Sequence, residues 1–419
     1  MSTRNKRRYL FALVDGGGTA PPELGAARRL VERGHHVDVI AEDSMIDDVA
    51  ASGANFRPWT YGVNRPDRSP EHDPFRDWEC RSPFQLLTRM LDGVLTGPAP
   101  GYAADLTEAL PECRPDIVAC SFFAIGAMVG AEAAGLPYDV LMANIYGLPA
   151  RGMPPFGLGV QPAAGPMSRA RDRVVNTLVK RQWNKGLDRL NDLRKSYGLK
   201  PINDLWDQVR CANKVLVLTS SSFDFPAELP PSVRYVGAVL DDPAWAVHQP
   251  WAPPPGGEPL VLVAMSSTFQ DQINCLQRVI DGLAMLPVRG LLTTGQAIDP
   301  SLLRPSGNIT VAAAAPHSQV LKHATVVVTH GGHGTVVRAI AAGVPLVVMP
   351  QGRDQADNAA RVVARNAGVT VRSDASPNEI AAAVRRVLDD SNYRDAAERL
   401  GRIIRDDATS GMLVAELES

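Results

Sequence analysis

Short apolar runs alternate with longer stretches of helical spacing along almost the whole chain, and this rhythm constrains the fold more than any single motif. A strand that feeds a helix and then a second strand pairs in parallel with it. The pattern therefore predicts parallel sheets with helices on both faces. Tyr9 to Val14 reads as a strand, Glu23 to Arg33 as a helix stopped by Gly34, and Val37 to Ala41 as the next strand. Ile117 to Cys120 and Ala124 to Ala134 repeat the pair before Gly135 and Pro137, and Lys214 to Thr219 and Val233 to Val239 close the first half. Pro250 to Pro259 then holds five prolines in ten residues, a composition that suits a semi-rigid connection and no central strand or helix. The rhythm restarts with Leu260 to Ala264, Ile273 to Leu286, Gly290 to Thr294, Ile309 to Val311, Thr325 to Thr329, Thr335 to Ala342, Leu346 to Met349 and Asp357 to Ala364. The expected architecture is α/β: a Rossmann-like domain over 1–240, a linker over 241–259, a second such domain over 260–400 and a C-terminal segment, 401–419. A length of 419 residues fits two large domains at about 150 residues or more each.

Composition narrows the function classes. Lysines and arginines number 43 and acidic residues 45, a net charge of −2, so the small basic head Arg4, Lys6, Arg7 and Arg8 stands alone and nucleic acid is not an expected partner. The five cysteines form no Cys-x-x-Cys, which argues against a disulfide framework or a zinc site and for a reduced, cytoplasmic setting. No stretch approaches 18 apolar residues, so no integral membrane segment is expected. Tyr61 to Pro83, rich in Pro, Arg and Asp and carrying Trp78, reads as a long surface loop of the kind that binds something. Arg169 to Tyr197 reads as a long charged helical stretch.

The segment richest in chemistry is His330-Gly-Gly-His-Gly-Thr335, which follows the strand ending at Thr329 and opens a helix. Its glycines let backbone approach a ligand, and the N–H groups of the helix start favour an anion, above all a phosphate. After the next strand, Gly343-Val-Pro345 to Pro350 is followed by Asp354-Gln355. A carboxylate beside a carboxamide suits a polyhydroxylated ligand, although Asp354 is also placed to cap the helix that follows.

These residues, His330-x-Gly-x-Gly-Thr335, Gly343-Val-Pro345, Pro350 and Asp354-Gln355, resemble the donor signature of the family 1 glycosyltransferases. The resemblance covers about Leu260 to Ala367 well and is looser before it, where it rests on Pro22, Leu24, Leu30, Arg33-Gly-His and Pro115-Asp116. It implies the GT-B fold, two Rossmann-like domains facing a cleft, with the last helical stretch, near Asn392 to Asp407, crossing back to the first domain. It implies a nucleotide-sugar donor held by Pro316, His317, His330, Gly331, Gly332, His333, Gly334, Thr335, Arg338, Asp354 and Gln355. His330, Thr335 and the loop backbone would hold the diphosphate, and Asp354 and Gln355 the sugar hydroxyls. Ala314 stands where plant members stack the base on Trp, and Arg338 where a Glu commonly meets the ribose, so a deoxyribose donor such as a dTDP-sugar is as well suited as a UDP-sugar.

Acceptor activation departs further from the resemblance. The positions of the family's catalytic His and its orienting Asp read Thr19 and Ser121. Asp15, then His72 with Asp73, are the replacement base candidates. Asp15 has an alternative role in bonding its own glycine turn, and His72 in lying on a solvated loop. Thr19, Trp78 and Ser121 are the expected acceptor contacts, while His35, His36, His248 and His323 read as structural. An acidic phenol or a carbon nucleophile would need less help from a base, so O- and C-glycosylation both stand. No Asp-x-Asp triplet and no metal-ligand spacing occurs, so no metal or cofactor is expected and activity should survive EDTA. The expected function is inverting, metal-independent sugar transfer from a nucleotide diphosphate sugar to a lipophilic small molecule, as in bacterial natural-product biosynthesis. Two alternatives are an NAD- or FAD-dependent oxidoreductase using the Gly16-Gly17-Gly18 turn with Glu42, and a non-catalytic sugar-nucleotide-binding protein.

Overall fold

The computed structural model describes residues 6–247 and 249–419, so Arg4 and His248 lie outside the described residues. The first sheet contains β1 (Arg8–Ala12), β2 (His36–Ala41), β3 (Asn55–Pro58), β4 (Ile117–Ser121), β5 (Tyr138–Met142), β6 (Lys214–Val217) and β7 (Val233–Tyr235), in the order β3-β2-β1-β4-β5-β6-β7. The second contains β8 (Leu260–Ala264), β9 (Arg289–Thr293), β10 (Ile309–Ala312), β11 (Ala324–Thr329), β12 (Leu346–Val348) and β13 (Gly368–Thr370), in the order β10-β9-β8-β11-β12-β13. Among the described residues every pairing within the two sheets is parallel.

Both faces of each sheet are covered, which is why the strands read as unbroken apolar runs. Along β1, Tyr9 and Phe11 pack with Leu24 and Leu30 on one face, and Leu10 and Ala12 with Met128 and Val140 on the other. Along β8, Leu260 and Leu262 face one helical layer and Val261 and Val263 the other. Helix Ala20–Glu32 begins earlier than the spacing predicts, because Pro21 and Pro22 fall in the first turn, where backbone N–H groups have no helical partner in any case. The charged stretch after Gly165 is two helices, Pro166–Trp183 and Leu187–Ser196, separated by a tight turn at Asn184–Gly186.

In each sheet the strand order reverses once, between β1 and β4 and between β8 and β11. Loops leaving such a pair part to opposite faces and leave a crevice at their carboxyl ends. The two crevices open on one cleft: Gly16 to Thr19 after β1 line one wall, and Met265 to Thr268 after β8 with His330 and Gly332 after β11 line the other. The proline-rich connection is seated on the second half through Trp251, whose ring lies 5.4 Å from that of His323. Helix Ser391–Thr409 puts Ala397, Leu400 and Ile404 into the second half's core, and helix Met412–Leu417 puts Leu413 and Leu417 into the first half's.

Candidate active site

The strand β11 delivers His330 to the cleft, and two glycines shape the turn that follows. Gly331 has a φ of +97°, and a side chain there would strike Val348. A Cβ on Gly332 would lie 2.5 Å from His330 Nε2, so this glycine is what lets the imidazole sit over the turn. The first helical bonds of His333–Ala341 are given by Thr335 and Val336 to the Gly332 carbonyl, which leaves the N–H groups of His333 and Gly334 ahead of the ladder, at the positive end of the helix. Burial pushes His330 down to about 4, with Arg353 beside it adding to the effect. It is therefore a neutral imidazole at physiological pH, carrying a single N–H, and the Ala264 backbone carbonyl lies within hydrogen-bonding reach of the ring. His333 is also buried, and burial pushes its pKa down against the opposing pull of Asp354 and the Asn358 side chain beside it.

The loop after β12 supplies the opposite rim. Asp354 occupies the cap position of helix Gln355–Ala364, yet its carboxylate caps no N–H; it accepts from Asn358 Nδ2 at 2.6 Å. The same Nδ2 donates to the Gly331 carbonyl at 3.0 Å, tying the two loops together. Gln355 Oε1 accepts the N–H groups of Gln351 and Gly352, and its Nε2 donates to Gln270 Oε1 at 2.9 Å. Toward the linker, Ala314, Ala315, His317 and Arg338 line the wall together with Asp241, Asp242 and Trp245. His317 Nε2 meets Thr293 Oγ1 at 3.1 Å, and burial pushes its pKa down to about 4. Arg338 donates to the carbonyls of Gly334 and Asp241. Pro316 is buried behind this wall as the cap residue of the short helix His317–Val320.

On the facing wall Gly17, at φ +72°, closes on Thr268 of the second half. The structure does not offer Asp15 to the cleft. Its carboxylate accepts from the Gly17 N–H, from Ser44 Oγ and from Arg68 Nε at 2.7 Å, and Arg65 lies 3.8 Å away. Burial alone would raise its pKa, but Arg68 and Arg65 outweigh that and hold it below the usual carboxylate range, which leaves a poor base with its lone pairs engaged. His72 is not brought to the cleft either; exposed on its loop, it pairs with Asp67 at 2.8 Å and Ser69 at 3.1 Å, while Asp73 accepts the Phe75 N–H. Trp78 packs edge-on against Phe269, ring centres 5.1 Å apart, and Ser121 is fully buried, so neither lines the cleft. Thr19 does line it, and its Oγ1 has no hydrogen-bond partner. His35 and His36 are structural: His35 Nε2 meets Glu418 and His36 pairs with Asp38.

Several residues of the site were silent in the sequence. Arg353, at φ +55°, grips Asp77 of the long loop through Nε at 2.7 Å and a second nitrogen at 2.9 Å. Ser121 Oγ donates to Glu23 Oε1 at 2.9 Å, and Glu23 lies one turn after Thr19 on the same helix. Trp245 reaches the cleft from the short helix Ala244–Val247. Only the placement of Glu23 four residues after Thr19 carried a signal, since such pairs share a helix face.

The profile of the family described as UDP-glucoronosyl and UDP-glucosyl transferase matches residues 166–414. A 4'-demethylrebeccamycin synthase from Lentzea aerocolonigenes is 30% identical over 414 residues, covering 94% of each chain. Among solved structures, the glycosyltransferase of kitacinnamycin and the calicheamicin glycosyltransferase CalG4 each superpose with a TM-score of 0.76 at 25% identity, covering 99% of this chain and 98% of theirs. With the two parallel sheets and their shared cleft, these likenesses establish the GT-B fold, and the chain belongs to the UDP-glucuronosyl and UDP-glucosyl transferase family as a glycosyltransferase of the bacterial natural-product type.

Proposed function

We propose that the chain transfers a sugar, with inversion and without a metal, from a nucleotide diphosphate sugar to a lipophilic small-molecule acceptor. The observation that carries this reading is the turn His330 to Thr335, where a neutral imidazole and the leading N–H groups of a helix lie side by side in the cleft wall. When the bond from the anomeric carbon to the diphosphate breaks, the leaving oxygen gains charge. Preorganised donors at that position stabilise the departing group without being rearranged during the reaction. Asp354 and Gln355 border the same space and suit sugar hydroxyls, while Trp245, Ala314 and His317 border the end toward the linker and suit the base. The facing wall presents Thr19 and the glycine turn to an acceptor approaching from the opposite side, the approach that inversion requires.

Arg338 leaves a dTDP-sugar as well suited as a UDP-sugar, since a cation at the ribose accepts nothing from a 2'-hydroxyl, while Asp241 and Asp242 on the same wall could. The oxidoreductase alternative is disfavoured by Glu42: one of its oxygens accepts the Asp15 N–H at 2.9 Å and the other pairs with Arg65, so neither is left for a ribose. Isothermal calorimetry with dTDP and UDP tests the reading. Binding of at least one of the two diphosphates is expected, and their ratio shows which nucleoside the site takes. His330→Ala should weaken dTDP by about 10- to 100-fold, in keeping with the loss of one hydrogen bond to a charged group. The affinity should not change when EDTA is added, and absence of any heat with either diphosphate would refute the reading.

A further inference from the structure

Acceptor activation has no base at the positions where the family resemblance puts one, Thr19 and Ser121, and Asp15 is spent on two arginines. One carboxyl remains nearby with no such duty. Glu23 is wholly buried in helix Ala20–Glu32; its Oε1 takes the hydroxyl proton of Ser121 at 2.9 Å, and its Oε2 has no partner. Thr19 stands one turn earlier on the same helix, and helical side chains lean toward the N-terminus, so Glu23 leans toward Thr19. The Thr19 hydroxyl is itself without a partner and tucks against Gly16, where a Cβ would come within 2.6 Å of it. Two orphaned buried atoms, the hydroxyl of a residue in the cleft wall and a carboxyl oxygen deeper in, share a helix face. Buried polar groups are ordinarily satisfied, so such a pair asks for an explanation.

We propose that Glu23 is the terminal proton acceptor of the transfer reaction and that it acts through the Thr19 hydroxyl, by rotation of the threonine side chain or across one water. In the step, the acceptor oxygen bonds to the anomeric carbon while the bond from that carbon to the diphosphate oxygen breaks and the diphosphate leaves with the electron pair. The acceptor's proton passes to Thr19 Oγ1 as the threonine's own proton passes to Glu23 Oε2, so the carboxylate becomes a carboxylic acid and later returns its proton to solvent. Thr19 is the catalytic residue, and Glu23 and Ser121 are positioning residues behind it. Burial holds the Glu23 carboxyl well above the usual range, with Ser121 opposing the rise and Asp15 adding to it. The titratable groups facing it are Asp15 on the turn after β1, itself paired with Arg65 and Arg68, and Cys120 on β4.

The inference rests on the proposed sugar transfer, and the test separates the two. Transfer from dTDP-glucose and UDP-glucose is measured to a series of ring-substituted phenols, from 4-nitrophenol to phenol, across pH 5 to 9. With wild type, kcat should rise with pH and then level. Glu23→Gln should lower kcat by about 10²- to 10⁴-fold with little change in KM, flatten the profile, and cost least with 4-nitrophenol, the most acidic acceptor. Thr19→Val should match it, Thr19→Ser should restore most of the rate, and the double variant should be no worse than either single one. Ser121→Ala removes a bond that favours the ionised carboxyl, so the rising limb should move to higher pH. An unchanged profile in Glu23→Gln overturns the proposal. If wild type transfers to none of the phenols, the failure lies with the functional reading, and infrared difference spectroscopy decides Glu23 alone. A carboxylic acid band that titrates between pH 5 and 9, vanishes in Glu23→Gln and shifts in Thr19→Val supports it; a band that never titrates overturns it.

Discussion

At the scale of single residues, the turn from His330 to Thr335 depends on what is missing from it. Gly332 has φ −58° and ψ 132°, a conformation open to any residue, so the reason for glycine is the His330 ring 2.5 Å from where a Cβ would stand. Gly332→Ala should therefore lose dTDP affinity about as severely as His330→Ala, add nothing to it in the double variant, and leave the melting temperature within a few degrees of wild type. His317 gives a prediction in acid. Its folded pKa of about 4 lies below the ordinary imidazole value of 6.5, so between those pH values the unfolded chain binds a proton that the folded chain does not. Stability from this residue is complete above pH 6.5 and falls by about 1.4 kcal/mol per pH unit as pH drops toward 4. Urea denaturation of His317→Asn over that window should show a correspondingly shallower fall than wild type. The turn from His330 to Thr335 was legible because it is one continuous run between a buried strand and a helix. The acceptor side was not: Asp15 looked available, and nothing local announces that Arg65 and Arg68, fifty residues on, reach back to it.

Among the elements, the loop 61–83 behaves as a strap. Asp77 receives two bonds from Arg353 and one from Gln270, Trp78 rests on Phe269, and Arg68 donates to Gln296 at 2.9 Å, so one segment of the first half is fastened to three loops of the second. Asp77 is nearly buried, with its side chain 6% exposed, so removing either partner strands a charge while removing both does not. A double-mutant cycle of Asp77→Asn and Arg353→Gln, read by chemical denaturation, should give a coupling of about 1 to 3 kcal/mol, the double variant being more stable than the sum of the singles implies. The sequence yielded this stretch only as a long loop, because contacts between distant segments leave no periodicity. The neighbouring elements escaped for local reasons. β3 is an edge strand reading Asn-Phe-Arg-Pro, half-exposed and ended by proline, and helix Ala99–Cys113 carries prolines at both ends, Pro100 and Pro111. Strands sealed on both faces, such as β8 and β11, announced themselves as unbroken apolar runs.

For the whole molecule, the question is how two halves keep one cleft when their cores meet only at a seam, where Ile145, Phe223 and Ala238 of the first half pack with the second half's core and Ala360 of the second with the first's. Helix Gln355–Ala364 contributes to both tasks. Its first residue lines the cleft, and farther along Arg361 forms an ion pair of 2.7 Å with Asp224 of the first half, both fully buried, with its guanidinium 4.4 Å from the Phe225 ring centre. Asp357 on the same helix accepts the N–H groups of Gly157 and Gly159. The second tie is the chain's end: Leu413 and Leu417 fill the first core, the Tyr9 hydroxyl donates to the Leu417 carbonyl at 3.1 Å, and Arg33 and His35 both hold Glu418. This last helix lies far in sequence from what it supports. Deleting 410–419 should thus destabilise the first half by about 3 to 6 kcal/mol, at roughly 1.5 to 3 kcal/mol for each buried leucine. The second half does not lose a core residue by that deletion, since its share of the C-terminal region ends with Ile404. The truncated chain should therefore unfold in two steps where the full chain unfolds in one. The early step should be reported by Trp183 and Trp206, which sit in the first core, and the late step should still shift upward when dTDP is added.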